Sequence, residues 1–248
     1  MIRRPPRSTQ GVSSAASDVY KRQIVHPASI STALRTQQVD FSDSGYALEM
    51  HGGRYKTEKE LEVNYPDGDY VFHYTTPSIG SVSQTVVMAN TRSSGSGLPP
   101  APKIYLSQAG QAVTPDEVAP DLDLHVSWSD FSAGRQDPLG IVDDLLFVIM
   151  ANCHGERIAH SGRPFENVPY LTYADDSYVI EAGILNAENA YQLSVEHAIL
   201  DTSIENSVPA IATFATTTFL ELKTTGSAIG NTACPTILEN FDAGQTIL

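Results

Sequence analysis

From Ile24 onward the chain is written in short alternating or β-branched runs, recurring every ~8–12 residues and closed by Gly, Pro, Asp or Asn. A period of two turns one side of a run into a core and the other to solvent. No window sustains the 3.6-residue period of an amphipathic helix of about twelve residues or more. The fold class is therefore all-β, with antiparallel β-sandwich domains. Tyr46 to Met50 form one such run, ended by His51-Gly52-Gly53. Leu61, Val63 and Tyr65 alternate with polar neighbours, Pro66-Asp67-Gly68 supplies turn chemistry, and 69–74 follow, which predicts a hairpin over 61–75. Residues 83–88 make a further strand. Together these give 24–91 about five strands, an N-terminal β-rich domain.

Arg92-Ser93-Ser94-Gly95-Ser96-Gly97-Leu98-Pro99-Pro100 reads as a linker over 92–100, flexible at its Gly/Ser start and stiffened by its prolines. A second domain spans 101–225. Leu122, Leu124, Val126 and Trp128 alternate with polar residues, and Asp144-Leu145-Leu146-Phe147-Val148-Ile149-Met150-Ala151 reads as a central strand. Asn152-Cys153-His154-Gly155 turns the chain back through 156–161. Strands over 177–181, 190–200 and 210–224 complete about seven in this domain, the arithmetic of a sandwich.

Trp128 and the run Leu185-Asn186-Ala187-Glu188-Asn189-Ala190-Tyr191-Gln192-Leu193-Ser194-Val195 resemble a fibronectin type III domain, an immunoglobulin-like sandwich. The family carries a Leu six residues before a Tyr that opens an alternating strand. The resemblance implies that Tyr191 bonds back to nearby backbone and pins a corner, and that Leu185 and Trp128 plug the core. It covers roughly 101–225, and the loop 161–176 is longer than the family pattern. Ala101-Pro102-Lys103-Ile104 is matched by Cys234-Pro235-Thr236-Ile237, and Ala109-Gly110-Gln111-Ala112-Val113 by Ala243-Gly244-Gln245-Thr246-Ile247. Residues 226–248 are therefore expected to be a linker and the start of a further repeat, the chain being a piece, truncated at both ends, of a tandem array. The pattern resembles large multi-domain surface or secreted proteins of environmental bacteria, sampled as a metagenomic fragment.

Residues 1–23 stand apart. They lack the apolar stretch of a signal peptide. Met1 to Thr9 and Ser13 to Gln23 resemble translated sequencing-library adapters, and Gln10 to Val12 fill the place of an index. This segment is expected to be an artefact without order. It holds five of the 15 basic residues and one of the 29 acidic ones, so the remainder carries 10 against 28, a net charge of −18. So acidic a surface repels phosphate, and nucleic acid is excluded as a partner. No stretch approaches the ~20 apolar residues of a membrane-spanning helix.

The two cysteines, Cys153 and Cys234, are too few for a disulfide framework. Cys234 aligns with Ala101 of the repeat, so the expectation is a lone thiol at Cys153 and no disulfide. Cys153, His154 and His160 do not suggest a metal, because neighbours on a strand point to opposite faces. Calcium is the one ion left as an alternative, through Asp121 and Asp123, Asp143 and Asp144, and Asp175 and Asp176. No nucleophile elbow, zincin motif or phosphate loop occurs, and no enzyme activity is expected. Phe165, Tyr170 and Tyr173 in the long loop are candidate ligand-binding aromatics, and Tyr65, Tyr70 and Tyr74 flank the expected hairpin. The functional expectation is a non-catalytic spacer or adhesion module of an extracellular or surface-attached protein, with neighbouring repeats and a protein or glycan as partners. The alternative is a carbohydrate-binding accessory region of a secreted polysaccharide-degrading enzyme.

Overall fold

A computed structural model describes residues 7–15, 24–33, 35–43, 47–88, 98–166, 168–228, 230 and 232–240. In chain order the strands are β1 (Arg7–Ala15), β2 (Val25–Thr32), β3 (Arg35–Asp40), β4 (Ser42–Asp43), β5 (Leu48–Tyr55), β6 (Gly68–Thr76), β7 (Gly80–Met88), β8 (Ile104–Gln108), β9 (Gln111–Ala112), β10 (Leu124–Trp128), β11 (Leu145–Ala151), β12 (Arg157–His160), β13 (Leu171–Thr172), β14 (Ser177–Ile180), β15 (Ala190–Glu205) and β16 (Val208–Lys223). A short helix, α1 (Glu58–Asn64), lies between β5 and β6. The chain is all-β with antiparallel sheets. The largest sheet runs β12-β11-β15-β16-β1-β5-β4, with β13 also on β11; a second runs β14-β10-β8-β9 and a third β3-β2-β6-β7.

The apolar pattern sets which faces close. In β10, Leu124, Val126 and Trp128 point inward while His125 faces solvent. β11 is buried along nearly its whole length, as its unbroken apolar run requires, with β12 and β13 on one edge and β15 on the other. In the C-terminal half the core lies between the β14-β10-β8-β9 sheet and the β12-β11-β15-β16 part of the large sheet, where Leu124, Val126, Leu146, Val148, Leu193 and Val195 belong to one cluster. Each such side chain contributes ~1.5–3 kcal/mol by leaving water. The same cluster continues through Ile30, Phe72, Tyr74, Val86, Leu48 and Met50 of the N-terminal half.

That continuity has a structural cause. β15 and β16 are each 16 residues long, roughly 50 Å of extended chain. They pair without interruption from Ala190↔Lys223 to Glu205↔Val208. The sequence reading splits this hairpin into 190–200 and 210–224 because 201–207 is polar. In the structure Asp201 to Glu205 remain strand, and Asn206 and Ser207, at φ 50° and 67°, form the two-residue turn. Both turn residues in the left-handed region match the twist of a hairpin. The base of the hairpin completes the C-terminal sandwich. Its tip packs against β7, where the buried Gln84 donates to Ser203 Oγ (3.0 Å) and to the Val208 carbonyl (3.1 Å). The two halves thus share strands across the expected 92–100 boundary. The described end of that linker is docked: Pro99 is buried, and its carbonyl accepts from Thr216 Oγ1 at 2.7 Å.

Several local expectations are corrected. The predicted 61–75 hairpin is wrong at its start, because Leu61 to Asn64 belong to α1. Leu61 and Tyr65 are both buried and lie four residues apart, while Val63 is 65% exposed, which is helical rather than strand spacing. Thr57 caps the helix, its hydroxyl accepting from Glu60 N at 3.2 Å. The hairpin is instead β6 with β7, turning at 77–79. The run at 46–50 does not stop at the glycines: β5 continues through Gly52 and Gly53 to Tyr55. Residues 1–23 are not wholly without order, since Arg7–Ala15 form β1, antiparallel to β16 on one side and β5 on the other. Main-chain pairing asks little of sequence, and β5 and β16 each present an edge to this seat. Residues 1–6 and 16–23, most of the linker, and 241–248 of the second repeat copy lie outside the described residues.

Candidate functional site

The most chemically distinctive corner lies at the turn between β11 and β12. Asn152 builds it. Its Oδ1 accepts from His154 N (2.9 Å) and Glu156 N (3.0 Å), and its Nδ2 donates to Glu156 Oε2 at 2.8 Å. Gly155 N donates to the Asn152 carbonyl at 3.0 Å, with Gly155 at φ 75°, where a side chain would be strained. This side-chain mimic of a turn takes 152–156 out of the strand. The opposite-faces argument therefore does not hold for Cys153 and His154.

Cys153 is buried and disulfide-bonded to Cys234, 81 residues on. This overturns the expectation of a lone thiol. Alignment with Ala101 gave Cys234 a place in a separate repeat. The structure instead folds 232–240 back along the base of the sandwich. Cys234 forms a parallel bridge with Asn189, and its carbonyl accepts from Ala190 N at 2.8 Å. The Cys153 carbonyl accepts from Leu238 N (2.8 Å) and Glu239 N (3.1 Å), and Gln192 Nε2 donates to Asn240 Oδ1 at 3.3 Å. The bond sits inside a small docking site made of main-chain groups. One ring nitrogen of the exposed His154 joins the two sulfurs, all three ligand atoms lying within 4.8 Å of one another. His160 is elsewhere: its Nδ1 accepts from Gly162 N, and burial, then Arg157, hold its pKa below the ordinary value.

The corner singled out by sequence is adjacent. Trp128, Leu185 and Tyr191 are all buried. The Tyr191 hydroxyl accepts from Asn186 N at 2.7 Å and lies 3.5 Å from the Asn186 carbonyl, to which it donates. Thr224 closes the same corner, accepting from Asn189 N (3.0 Å) and donating to the Asn186 carbonyl (2.5 Å). Tyr191→Phe is expected to destabilise the fold by about 1–2 kcal/mol, since Asn186 N loses its acceptor. Urea unfolding checks this, and an unchanged midpoint would remove the corner from the account.

The candidate aromatics are not gathered into one platform. Phe165, at φ 71°, packs partly buried beside Val142, Leu145 and Leu200, and Tyr173 packs against the main core. Tyr170 is the exposed member, at 38%. Tyr65, Tyr70 and Tyr74 are all core residues, and burial raises the Tyr74 phenol to about 12.

The paired acids hold loops. Asp144 is buried and accepts from Arg135 N (2.9 Å) and Leu200 N (2.8 Å). Asp137 accepts from Leu139 N, Ile141 N, Val142 N and Thr202 Oγ1. Burial pushes the Asp137 pKa up, but these hydrogen bonds outweigh it and hold the group below the ordinary carboxylate value. Asp143 accepts from Asp137 N, Asp123 from Ala182 N, and Asp175 from Thr172 N. Among the described residues, the one group of three or more His, Cys, Asp or Glu ligands that converges is Cys153, His154 and Cys234.

Among the buried polar residues that sequence reasoning does not single out are Gln84 and His197. Gln84 stands among Val82, Val86 and Met88 on the inward face of β7, and a polar residue at such a position signals a partner. His197 on β15 is fully buried, stacked on Phe131 at 4.4 Å, with Nδ1 donating to the Pro100 carbonyl at 3.2 Å. No family model, curated protein or solved structure matches the chain.

Proposed function

We propose that this chain is a non-catalytic structural module, a spacer in an array of β-sandwiches that belongs to a secreted or surface-attached protein. The observation that carries the reading is the anchorage of both connecting segments to one hairpin. The incoming 98–100 segment docks on β15 and β16 through His197 and Thr216, and the outgoing 232–240 segment docks at the start of β15, with a disulfide tying it to the neighbouring β11–β12 turn. Both connections are therefore tied to the same long pair of strands. The disulfide favours an oxidising compartment.

Strand order supports the finer likeness to fibronectin type III. Leaving aside the two-residue β9 and β13, the C-terminal half has seven strands. The first, second and fifth (β8, β10, β14) lie in one sheet, and the third, fourth, sixth and seventh (β11, β12, β15, β16) in the other. The immunoglobulin-like split places the same first, second and fifth against third, sixth and seventh, and Tyr191 stands at the start of the sixth strand.

Single-molecule pulling of the full chain tests the spacer. Extension should be released in one cooperative event. With the disulfide intact, its 81-residue loop stays closed, and the release should be shorter by roughly 280 Å at ~3.5 Å per residue. Separate early opening of the N-terminal half would sink the reading. A glycan-dependent change in Tyr or Trp fluorescence would favour the carbohydrate-binding alternative.

A further inference from the structure

We infer that the corner formed by Cys153, His154 and Cys234 is a redox-gated metal site, which in its reduced form takes a borderline-soft divalent cation of the zinc class. This goes beyond the spacer reading and does not depend on it. Three observations carry it. The two sulfurs and one His154 ring nitrogen already lie within 4.8 Å of one another, so one ion could be reached by all three with little movement of main chain. The donor set, two thiolates and an imidazole, is one that zinc prefers, and calcium and magnesium do not. Both sides of the corner are held independently of the sulfur–sulfur bond. Asn152 and Gly155 fix the turn that carries Cys153 and His154. The Asn189–Cys234 bridge and the amides of Leu238 and Glu239 on the Cys153 carbonyl fix the other side. Breaking the bond would leave two thiols still facing each other. His154 is exposed, which leaves the fourth coordination position to solvent.

The chemistry balances. A trialkylphosphine and water convert the disulfide to two thiols and the phosphine oxide. The dication then binds both sulfurs, two protons are released, and His154 binds as neutral imidazole. Oxidised or metal-loaded, the corner keeps 232–240 on the sandwich. Reduced and metal-free, it has only hydrogen bonds to do so.

Titration of the full chain with Co2+ as a spectroscopic probe tests this, under anaerobic conditions after phosphine reduction. The expected result is a 1:1 complex with a thiolate-to-cobalt charge-transfer band, absent from the oxidised chain and abolished by excess Zn2+. His154→Ala, on an exposed side chain that leaves the fold intact, should weaken Co2+ by at least about tenfold. Circular dichroism of the reduced chain shows whether the sheets persist during the titration. No charge-transfer band in a folded reduced chain would overturn the inference, and so would a band of unchanged affinity in His154→Ala.

Discussion

Reduction of the Cys153–Cys234 bond is expected to lower the unfolding free energy by about 4 kcal/mol. The cross-link closes a loop of 81 residues, and in the chain-entropy account such a loop removes on the order of 4–5 kcal/mol of freedom from the unfolded chain. The measurement is equilibrium urea unfolding with and without phosphine, metal ions being chelated. The paired Cys153→Ser and Cys234→Ser substitution should reproduce the shift. A loss below about 1 kcal/mol would mean that the bond does not constrain the unfolded chain as its span requires.

His197 supplies the second large effect, through pH. Burial holds its pKa down to about 4, while the Pro100 carbonyl and Asp130 pull the other way without prevailing. The ordinary value in an unfolded chain is ~6.5. Between these two values the unfolded chain binds a proton that the folded chain refuses. Stability therefore rises with pH across the window, is fully present above ~6.5, and falls as pH drops toward 4. The loss is on the order of 3 kcal/mol at a pH below both values. His197→Gln keeps a donor near the Pro100 carbonyl but cannot titrate. The stability of the two proteins, measured from pH 7.5 to 4, should converge as pH falls. Parallel curves, or a His197 resonance that titrates near 6.5, would show that burial does not control its protonation.

The readable and unreadable parts of this chain differ in how far apart the partners lie. β11, β10 and β14 are legible because the local pattern of each, unbroken in β11 and alternating in β10, itself says which faces are to be covered. The Tyr191 corner was visible because its partner Asn186 is five residues away. The helix over 58–64 was missed because Leu61, Val63 and Tyr65 suit an alternating strand as well as an i, i+4 face. Only the buried positions of Leu61 and Tyr65 decide between them, although Thr57 followed by Glu60 is a capping signal in the sequence. The stretch 201–207 reads as a loop because its partners, Gln84 and Val208 to Ala212, are supplied only by the fold. The disulfide was hidden for the same reason. Nothing local to Cys234 reports that residues 232–240 lie against Asn189.

The shared hairpin also has a consequence for the order of events in synthesis. The N-terminal half ends at Met88, yet the surface against which β7 packs is made of residues near 203 and 208. At ~5–20 residues per second, a ribosome needs on the order of ten seconds to bridge that interval. Through that time Gln84 lacks the acceptors it has in the folded chain, and the inward face of β7 lacks the hairpin that packs on it. A nascent chain of this design cannot finish its first half before β15 and β16 have emerged, so the two halves fold together rather than one after the other.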